Sequence, residues 1–461
     1  MQTILLSFIL YFQNFFITYI SDIYFEPNIY EYLLILTLLI FIQTFRHKTL
    51  FLIIWQSIYF IEFLFISYFN STIKSYDIKL FFTHIDETFS SIIGLYSTFI
   101  FTIVFSAVIF ILILILKKTI YISKSFLVLI IIILIFLQPK NQNDLSLNFI
   151  QNIFNITLKN QNIIKNNKQL KPLKEITNNL NIILVIGESM RYKNLSLFGY
   201  EKNTTLELNK YKTELFYKTI YSGATNTDVS IPLLLNGATQ FDQIDLSNNL
   251  FTLALNNNFK TSFISTQSNK SLQYIKPYLG NNIQNFNILG TKLDDDLIKY
   301  YSTIDIKNGN HFTVLNMTGQ HSPYTYYPDK FNLFKGDSIE EKYNNTVLYS
   351  DFMLASLIKK IKKQYSPTIF IFTSDHGELI GQNNQYGHNR FNKDIYTVPL
   401  IIYTKNINIP KAVLNKIHTH KDIYSLLKYF LGYSNTIDFC SSPYQVNGTM
   451  QTGEDGFIFV D

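Results

Sequence analysis

Apolar residues are distributed unevenly along this chain of 461 residues, and the unevenness limits what the chain can fold into. Up to about residue 138 the sequence is almost continuously apolar. Beyond that point polar and apolar residues alternate, as they do in a water-soluble domain. The sequence therefore predicts an α-helical membrane domain at 1–138 and a water-soluble domain at 179–461, joined by a polar, partly helical tether at 139–178.

Five apolar segments of the first part approach the roughly 20 residues that are needed to cross a bilayer. They are 4–21, 30–45, 49–69, 95–116 and 119–138. Basic residues lie between the second and third segments and between the fourth and fifth, whereas the loop after the first carries only acidic charge. The positive-inside rule then predicts a cytoplasmic amino terminus and an external location for everything after the fifth span.

Glu62 is the one carboxylate that lies well inside a predicted span. Because a helix rises about 1.5 Å per residue, we expect Glu62 about 20 Å from the cytoplasmic side, in the outer third of the bilayer. Acidic residues inside a membrane are commonly functional. Pairing with a polar group on a neighbouring helix is the structural alternative, and both interpretations stay open.

Charge and cysteine content exclude several classes of protein. The net charge of +6 is modest, and no basic cluster with interleaved aromatic residues is present, so nucleic acid is not an expected partner. Cys440 is the single cysteine, which rules out an intramolecular disulfide and a zinc site built from cysteines.

The second part of the chain alternates strand-like apolar runs with helical patterns. This order is typical of a largely parallel sheet with helices on its faces, and about 280 residues suffice for one such core. The clearest predicted helices are 340–363 and 421–431. The predicted strands are Asn181–Ile186, Lys260–Ser265, His311–Asn316, Thr368–Phe372 and Val398–Tyr403.

Side chains that can bind a metal follow several of these strands. Glu188 comes directly after the first predicted strand, His321 after the third, and the pair Asp375-His376 after the fourth, with His388 a short loop further on. Each has a structural explanation by itself, such as a solvated acid or a helix N-cap. However, the ends of parallel strands meet at one edge of a sheet, where α/β folds bind ligands. Together these oxygen and nitrogen donors suit zinc, and manganese less well.

The segment 222–232 lies between the first two predicted strands and offers several hydroxyl groups on a turn that could open a helix. A hydroxyl beside a metal ion is acidified, as bound water is, and becomes a usable nucleophile near neutral pH. A helix amino terminus behind it would favour an incoming phosphate group. Taken alone, this segment is better explained as a helix N-cap with additional threonines.

Four motifs, in this order, resemble those of the phosphoethanolamine transferases of the alkaline-phosphatase/sulfatase superfamily. They read Gly187-Glu188-Ser189-Met190-Arg191, Thr225-Asn226-Thr227-Asp228-Val229-Ser230-Ile231-Pro232, Gly319-Gln320-His321-Ser322-Pro323, and Asp375-His376-Gly377-Glu378 followed by His388. The resemblance extends over nearly the whole chain. It implies five transmembrane helices followed by an α/β alkaline-phosphatase-like sulfatase-fold domain.

The resemblance also implies a role for each site residue. The nucleophile of that family lies two residues before the position occupied here by Val229, which indicates Thr227 and not Thr225. One tightly held zinc ion is implied, and a second is conceivable. The implied ligands of the first ion are Glu188, Thr227, Asp375 and His376.

The implied reaction moves phosphoethanolamine from phosphatidylethanolamine, through a phospho-threonine, to lipid A or another cell-surface glycan. His321 and His388 would stabilise the phosphate charge or bind the second metal. Separately from the resemblance, the position of Glu62 in the third predicted span makes it a candidate for pairing with the ammonium of the donor lipid. Such an enzyme would lie in the bacterial inner membrane with its catalytic domain in the periplasm.

The chain departs from the family pattern at one place. Gly223 and Leu233 occupy the positions where cysteines next to the nucleophile are expected, so we expect packing alone to hold that loop. Two alternative activities remain open. A lipoteichoic-acid-synthase-like enzyme would transfer glycerol phosphate with the same fold, and a metal-dependent phosphodiesterase would use water as its acceptor.

Overall fold

The structure is a computed structural model that describes residues 2–20, 25–45, 47–69, 72–75, 77–78, 103, 106–107, 111, 124–136, 144–158, 165, 170–177, 179–453 and 455–461. The chain divides into two compact units, 1–160 and 161–461. The division falls inside the segment that the sequence predicts to be a tether.

The first unit is helical. Its described helices are Gln2–Ile20, Ile29–Gln43, Lys48–Phe69, Lys124–Phe136 and Leu145–Leu158. The first three agree with the first three predicted spans, and the fourth lies within the last. Nearly all of the predicted span 95–116 is outside the described residues, so the expectation of five spans stays a prediction. In the described part of this unit, Lys48–Ile66 is the one helix both long and apolar enough to cross a membrane, and Thr3–Tyr19 and Ile29–Gln43 are shorter apolar helices.

Polar side chains cross-link the described helices of the first unit. Asp144, which is fully buried, accepts hydrogen bonds from Asn14 Nδ2, Tyr59 OH and the backbone N–H of Leu147. The backbone N–H of Asp144 donates to Glu31 Oε2 at 3.1 Å. Buried polar groups of this kind are stable only when their hydrogen bonds are made, so the network specifies how these helices associate. Neither Glu31 nor Asp144 was predicted from the sequence to have such a role.

The second unit is built on a seven-stranded sheet. Its strands are β1 (Asn181–Gly187), β2 (Phe216–Tyr221), β3 (Phe259–Ser265), β4 (Asn285–Ile288), β5 (Asn310–Asn316), β6 (Thr368–Ser374) and β9 (Thr397–Lys405). Their order across the sheet is β2-β9-β6-β1-β5-β3-β4. β1 runs parallel to β5 and β6, and β3 runs parallel to β4 and β5. β9 is antiparallel to both β2 and β6, so the sheet is largely and not wholly parallel.

Each of the five predicted strands lies within an observed one. The sequence missed the edge strands β2 and β4, because edge strands carry polar residues and lack the continuous apolar run of a central strand. It also missed the short strands of two small two-stranded sheets. These are β7 (Leu379–Ile380) with β8 (Tyr386–Gly387) and β10 (Tyr444–Asn447) with β11 (Phe457–Val460).

Helices cover both faces of the seven-stranded sheet. Successive side chains of β1 point to opposite faces, so Ile182 and Leu184 belong to one apolar cluster and Ile183 and Val185 to the other. All four are fully buried, and each such side chain contributes roughly 1.5–3 kcal/mol. Burial on both faces explains why the central strands read as unbroken apolar runs.

Five of the α-helices of the second unit begin at a residue whose side chain caps the helix. Ser338 Oγ accepts the backbone N–H of Glu341, and Thr419 with Asp422 forms a capping box. The two helices predicted most clearly are observed within one residue of the predicted ends. The α-helices are Leu206–Asn209, Thr227–Asn236, Leu250–Asn256, Asp295–Tyr301, Ile339–Lys362, Lys393–Tyr396, Lys411–Leu414 and His420–Phe430.

Candidate functional site

The carboxyl ends of β1 and β6 lie side by side, with Gly187 in register with Ser374. The residues that follow, Glu188 and Asp375, are therefore neighbours, and both are at most 2% exposed. The backbone N–H of Ser189 donates to Asp375 Oδ1 at 3.1 Å, which joins the two strand ends. Parallel pairing thus brings together two carboxylates that are far apart in sequence.

Ser189 adopts a left-handed φ of 57°, which is uncommon for a residue with a side chain. Its hydroxyl donates to Glu188 Oε1 at 3.0 Å, and its carbonyl accepts the Tyr343 hydroxyl at 2.7 Å. These bonds stabilise an unfavourable backbone conformation immediately after Glu188. Such local strain is typical of functional sites.

Thr227 is the first residue of the ten-residue helix Thr227–Asn236. Its Oγ1 lies 2.7 Å from Asp375 Oδ2, 3.1 Å from Glu188 Oε2 and 3.2 Å from His376 Nε2. The helix amino terminus adds a partial positive charge at this point. The hydroxyl is therefore placed among three ionisable groups at a position that favours an anion.

Thr225, the alternative hydroxyl, has a different environment. It is fully buried, and its Oγ1 has no hydrogen-bond partner among the described residues. Thr227 is only half-buried, so part of its surface faces solvent. Asn226 lies between the two threonines and caps the helix. Its side chain accepts the backbone N–H of Val229 at 3.3 Å.

Glu188, Asp375 and His376 could hold a metal ion, since their ligand atoms all lie within 4.8 Å of one another. His376 Nδ1 lies 2.8 Å from the carbonyl oxygen of Gly377, to which only an N–H can donate. When the imidazole of His376 is neutral, its lone pair is therefore on Nε2, which faces the carboxylates. Two carboxylate oxygens, one imidazole nitrogen and the nearby hydroxyl are donors that zinc accepts.

The three groups have strongly shifted pKa values. Burial raises the pKa of Asp375 to about 7, and the neighbouring charge of Glu188 adds to this effect. Burial also opposes ionisation of Glu188, but the hydrogen bond and charge of His376 outweigh it and lower the pKa of Glu188. Burial disfavours the charged imidazole of His376, yet the two carboxylates raise its pKa to about 10. A cation that binds here must therefore displace protons from Asp375 and His376.

A second group of possible ligands shares His376 and adds Glu378 and His388. His388 Nδ1 lies 3.0 Å from Glu378 Oε2, and the rings of His376 and His388 are 4.1 Å apart between centroids. Because Nδ1 of His376 donates to a carbonyl, both groups depend on the same Nε2, and His376 can serve one ion at a time. Sequence analysis did not count Glu378 among the site residues, although it lies in the motif that begins at Asp375.

His321 lies at the end of β5, as predicted, but belongs to neither group of possible ligands found among the described residues. It is half-buried, with Nδ1 donating to the Ser322 carbonyl at 2.7 Å. Its charge contributes to lowering the pKa of Glu188, so it lies within electrostatic reach of the site. The backbone N–H of Gln320 donates to the Glu188 carbonyl at 3.0 Å and fastens this loop to the end of β1.

Two further residues support the site, although neither was predicted from the sequence to do so. Gln267 Nε2 donates to Glu188 Oε2 at 3.1 Å and to the Met317 carbonyl at 2.9 Å. Asp294, whose pKa is raised to about 6 by burial, accepts the backbone N–H groups of Thr318 and Gly319 at 2.8 and 3.0 Å. Gln267 follows β3 by two residues, so its position was a usable signal, but an amide is not an expected metal ligand.

The loop before Thr227 is held in a different way from the one expected, which was packing alone. Gly223 and Leu233 are in contact, since a Cβ built on Gly223 would lie 3.4 Å from Leu233 Cβ. Packing alone, however, does not hold the loop. The side chain of Asn447 donates a hydrogen bond to the Gly223 carbonyl at 2.8 Å.

Comparison with known proteins agrees with this architecture. The sulfatase family profile matches residues 180–433. The chain is 26% identical over 290 residues to phosphoethanolamine transferase EptA of Helicobacter pylori, an alignment that covers 55% of this chain and 54% of the relative. This chain thus spans about half the length of the curated relatives it matches.

Two solved structures share the fold. The integral membrane protein lipooligosaccharide phosphoethanolamine transferase A from Neisseria meningitidis has a TM-score of 0.66 at 17% identity, covering 94% of this chain and 95% of that one. The C-terminal periplasmic domain of EcEptC from Escherichia coli, solved in complex with Zn, has a TM-score of 0.53 at 18% identity. It covers 63% of this chain and 96% of that chain.

The first prediction concerns Gly319, whose φ is +53° and whose missing Cβ would lie 2.8 Å from the Glu188 carbonyl oxygen and 2.9 Å from its nitrogen. We expect Gly319→Ala to destabilise the chain by about 1–3 kcal/mol through this clash, in addition to about 1 kcal/mol for the left-handed backbone. The matched control is Gly290→Ala. Gly290 has a φ of +64° and open space around it, so only the backbone cost applies.

Urea unfolding followed by far-ultraviolet circular dichroism measures both variants. If Gly319→Ala lowers the free energy of unfolding more than Gly290→Ala does, the result supports close packing of the His321 loop on Glu188. Equal losses would contradict it.

Proposed function

Because this chain belongs to the sulfatase family, whose profile covers residues 180–433, we propose that it transfers phosphoethanolamine from phosphatidylethanolamine to lipid A or another cell-surface glycan. The observation that carries the proposal is the position of Thr227 Oγ1. It lies within 3.2 Å of two carboxylates and an imidazole, at the amino terminus of a helix. These relatives are named as phosphoethanolamine transferases, and the names support phosphoethanolamine as the group that is transferred.

Glu188, Asp375, His376 and Thr227 would hold one zinc ion in this proposal. Two buried carboxylates beside one imidazole fit a divalent cation, and the zinc complex of the related EcEptC domain supports zinc over manganese. When bound, the ion supplies positive charge that favours the ionised form of a hydroxyl and neutralises a phosphoryl oxygen.

In the first half of the reaction, Thr227 Oγ1 attacks the phosphorus of the donor lipid. The phosphorus–oxygen bond to the glycerol breaks, and diacylglycerol leaves as an alcohol with the proton that Thr227 gives up. Asp375 Oδ2 and Glu188 Oε2 orient the hydroxyl, and the first N–H groups of the helix favour the phosphate. His321 and His388 stabilise the charge of the transferring group.

In the second half, an oxygen of the acceptor attacks the phosphothreonine. The bond between phosphorus and Thr227 Oγ1 breaks, and Thr227 regains a proton that the acceptor loses. The two steps return the site to its starting state, as a ping-pong mechanism requires.

The first unit would anchor the enzyme in the bacterial inner membrane, with a cytoplasmic amino terminus and a periplasmic catalytic unit. Glu62 is the candidate for a contact with the donor lipid. It is fully buried, and Oε2 accepts the backbone N–H of Ile73 at 3.2 Å. Within the described part of the chain, Glu62 Oε1 makes no direct hydrogen bond, although the Asn148 side chain interacts with this carboxylate.

The second prediction tests the nucleophile. Thr227→Ala should abolish transfer and leave zinc content and folding unchanged, because the carboxylates and the imidazole remain. Thr225→Ala, the matched control, should cost much less. Intact-mass and peptide analysis of enzyme incubated with donor alone should locate the phosphoethanolamine adduct on Thr227, and an adduct on Thr225 or Ser222 would show that the assignment is wrong.

The third prediction concerns the metal and pH. The apparent zinc affinity should rise with pH, because protons on Asp375, with a pKa of about 7, and on His376, with a pKa of about 10, must leave. Below pH 7 the logarithm of the affinity should rise by about two per pH unit, and between pH 7 and 10 by about one. Competition with a chelator across this range measures the slope.

Elemental analysis provides the accompanying check on the metal site. We expect about one zinc per chain after metal-replete purification. Full activity with clearly less zinc than this, or an affinity independent of pH, would contradict the assignment.

The fourth prediction concerns Glu62. Glu62→Gln should lower activity toward phosphatidylethanolamine in bilayers, because it removes the charge that pairs with the ammonium. Hydrolysis of a small soluble phosphodiester by the same preparation should barely change. If both activities fall together, or neither changes at normal expression, Glu62 has a structural role.

A further inference from the structure

The segment that precedes the Thr227 helix has no covalent cross-link. Gly223 and Leu233 lie close enough that two cysteines at these positions could form a disulfide, but neither residue can form one. The backbone N–H of Gly223 donates to His420 Nδ1 at 3.2 Å, which fixes one side of the loop. What holds the other side is a residue near the end of the chain.

Asn447, the last residue of β10, makes four hydrogen bonds to the two loops that flank this helix. Its backbone N–H and its Nδ2 both donate to the Gly223 carbonyl, at 3.0 and 2.8 Å. Its carbonyl accepts the N–H of Thr225 at 3.2 Å, and Nδ2 also donates to the Thr239 carbonyl at 2.8 Å. One side chain therefore connects the loop that enters the helix with the loop that leaves it.

The residues after Asn447 continue along the same helix. The Thr449 carbonyl accepts Asn226 Nδ2 at 3.0 Å, and Gln451 Nε2 donates to the Asp228 carbonyl at 2.9 Å. Asn226 and Asp228 are the two neighbours of Thr227. The C-terminal segment 447–451 thus contacts the backbone or side chains on both sides of the reactive hydroxyl.

We propose that Asn447 is a positioning residue for phosphoryl transfer, which holds Thr227 at the metal-ligand cluster in place of a disulfide. The inference rests on the proposed function for its activity readout. Thr227 Oγ1 must stay within about 3 Å of three groups that belong to other elements. A displacement of about 1 Å from that geometry is enough to reduce the rate about a hundredfold.

The test compares Asn447→Ala and Asn447→Asp with the exposed Asn415→Ala, all in the full chain. Asn447→Ala removes both side-chain hydrogen bonds, and Asn447→Asp places a carboxylate oxygen against two carbonyls. We expect kcat to fall about ten- to hundredfold in the Asn447 variants, with little change in KM for phosphatidylethanolamine and with zinc retained. Asn415→Ala should match the wild type.

A designed disulfide separates positioning from a general loss of folding. Gly223→Cys with Leu233→Cys should form a bond, because their Cβ atoms would lie about 3.4 Å apart. Cys440→Ser is included, since Cys440 lines the same cavity as both positions. In this background Asn447→Ala should regain most of its kcat when oxidised and lose it again when reduced.

Hydrogen–deuterium exchange provides a readout that does not need activity. Peptides that cover residues 223–239 should exchange faster in Asn447→Ala, and the oxidised disulfide should reverse this. A wild type without transferase activity would refute the proposed function, while the exchange data would still decide whether Asn447 holds the loop. Unchanged kcat in both Asn447 variants, or a loss that the disulfide does not restore, would overturn the inference.

Discussion

The second unit depends on one electrostatic constraint, the burial of Glu188 and Asp375 side by side. Two like charges that are both removed from water repel each other, and neither can be ionised cheaply unless something of opposite charge is close. His376 supplies part of that charge, and protons or a cation must supply the rest. The opposite shifts in the pKa values of the two carboxylates are the direct consequence of this arrangement. A pair of this kind would destabilise a purely structural core. It is instead typical of a site that can bind a cation.

The surrounding loops restrict how this cluster can move. Gly319 lies directly on the backbone of Glu188, and Gln267 donates to its carboxylate. Asp294 orders the loop that leads to His321 by accepting two backbone N–H groups. Asn447 orders the loop that leads to Thr227 by donating hydrogen bonds from its backbone N–H and its Nδ2 to the Gly223 carbonyl. The hydroxyl and the possible metal ligands are therefore held by separate elements, each fastened by buried hydrogen bonds, and this rigidity suits a reaction that depends on alignment.

The first unit shows the same use of buried polar groups in an apolar environment. Asp144 and Glu31 are fully buried, yet their hydrogen bonds to other helices and backbone groups compensate for the lost contact with water. Glu62 is only partly compensated in this way. Among the described residues, this difference distinguishes Glu62 from Glu31 and Asp144, whose hydrogen bonds join other helices.

The sequence by itself determined the central strands and the chemical nature of the site. Runs such as Asn181–Gly187 are apolar because both faces of the strand are buried, and that property is local. Glu188, Asp375 and His376 were predictable because donor residues at strand ends are also a local signal. Tertiary structure alone decided the remaining features. The antiparallel direction of β9 and the contacts of Asn447 with Gly223, 224 residues away, depend on how distant segments pair. Such pairing is set by the register and crossing of the whole chain, and no local pattern of residues encodes it.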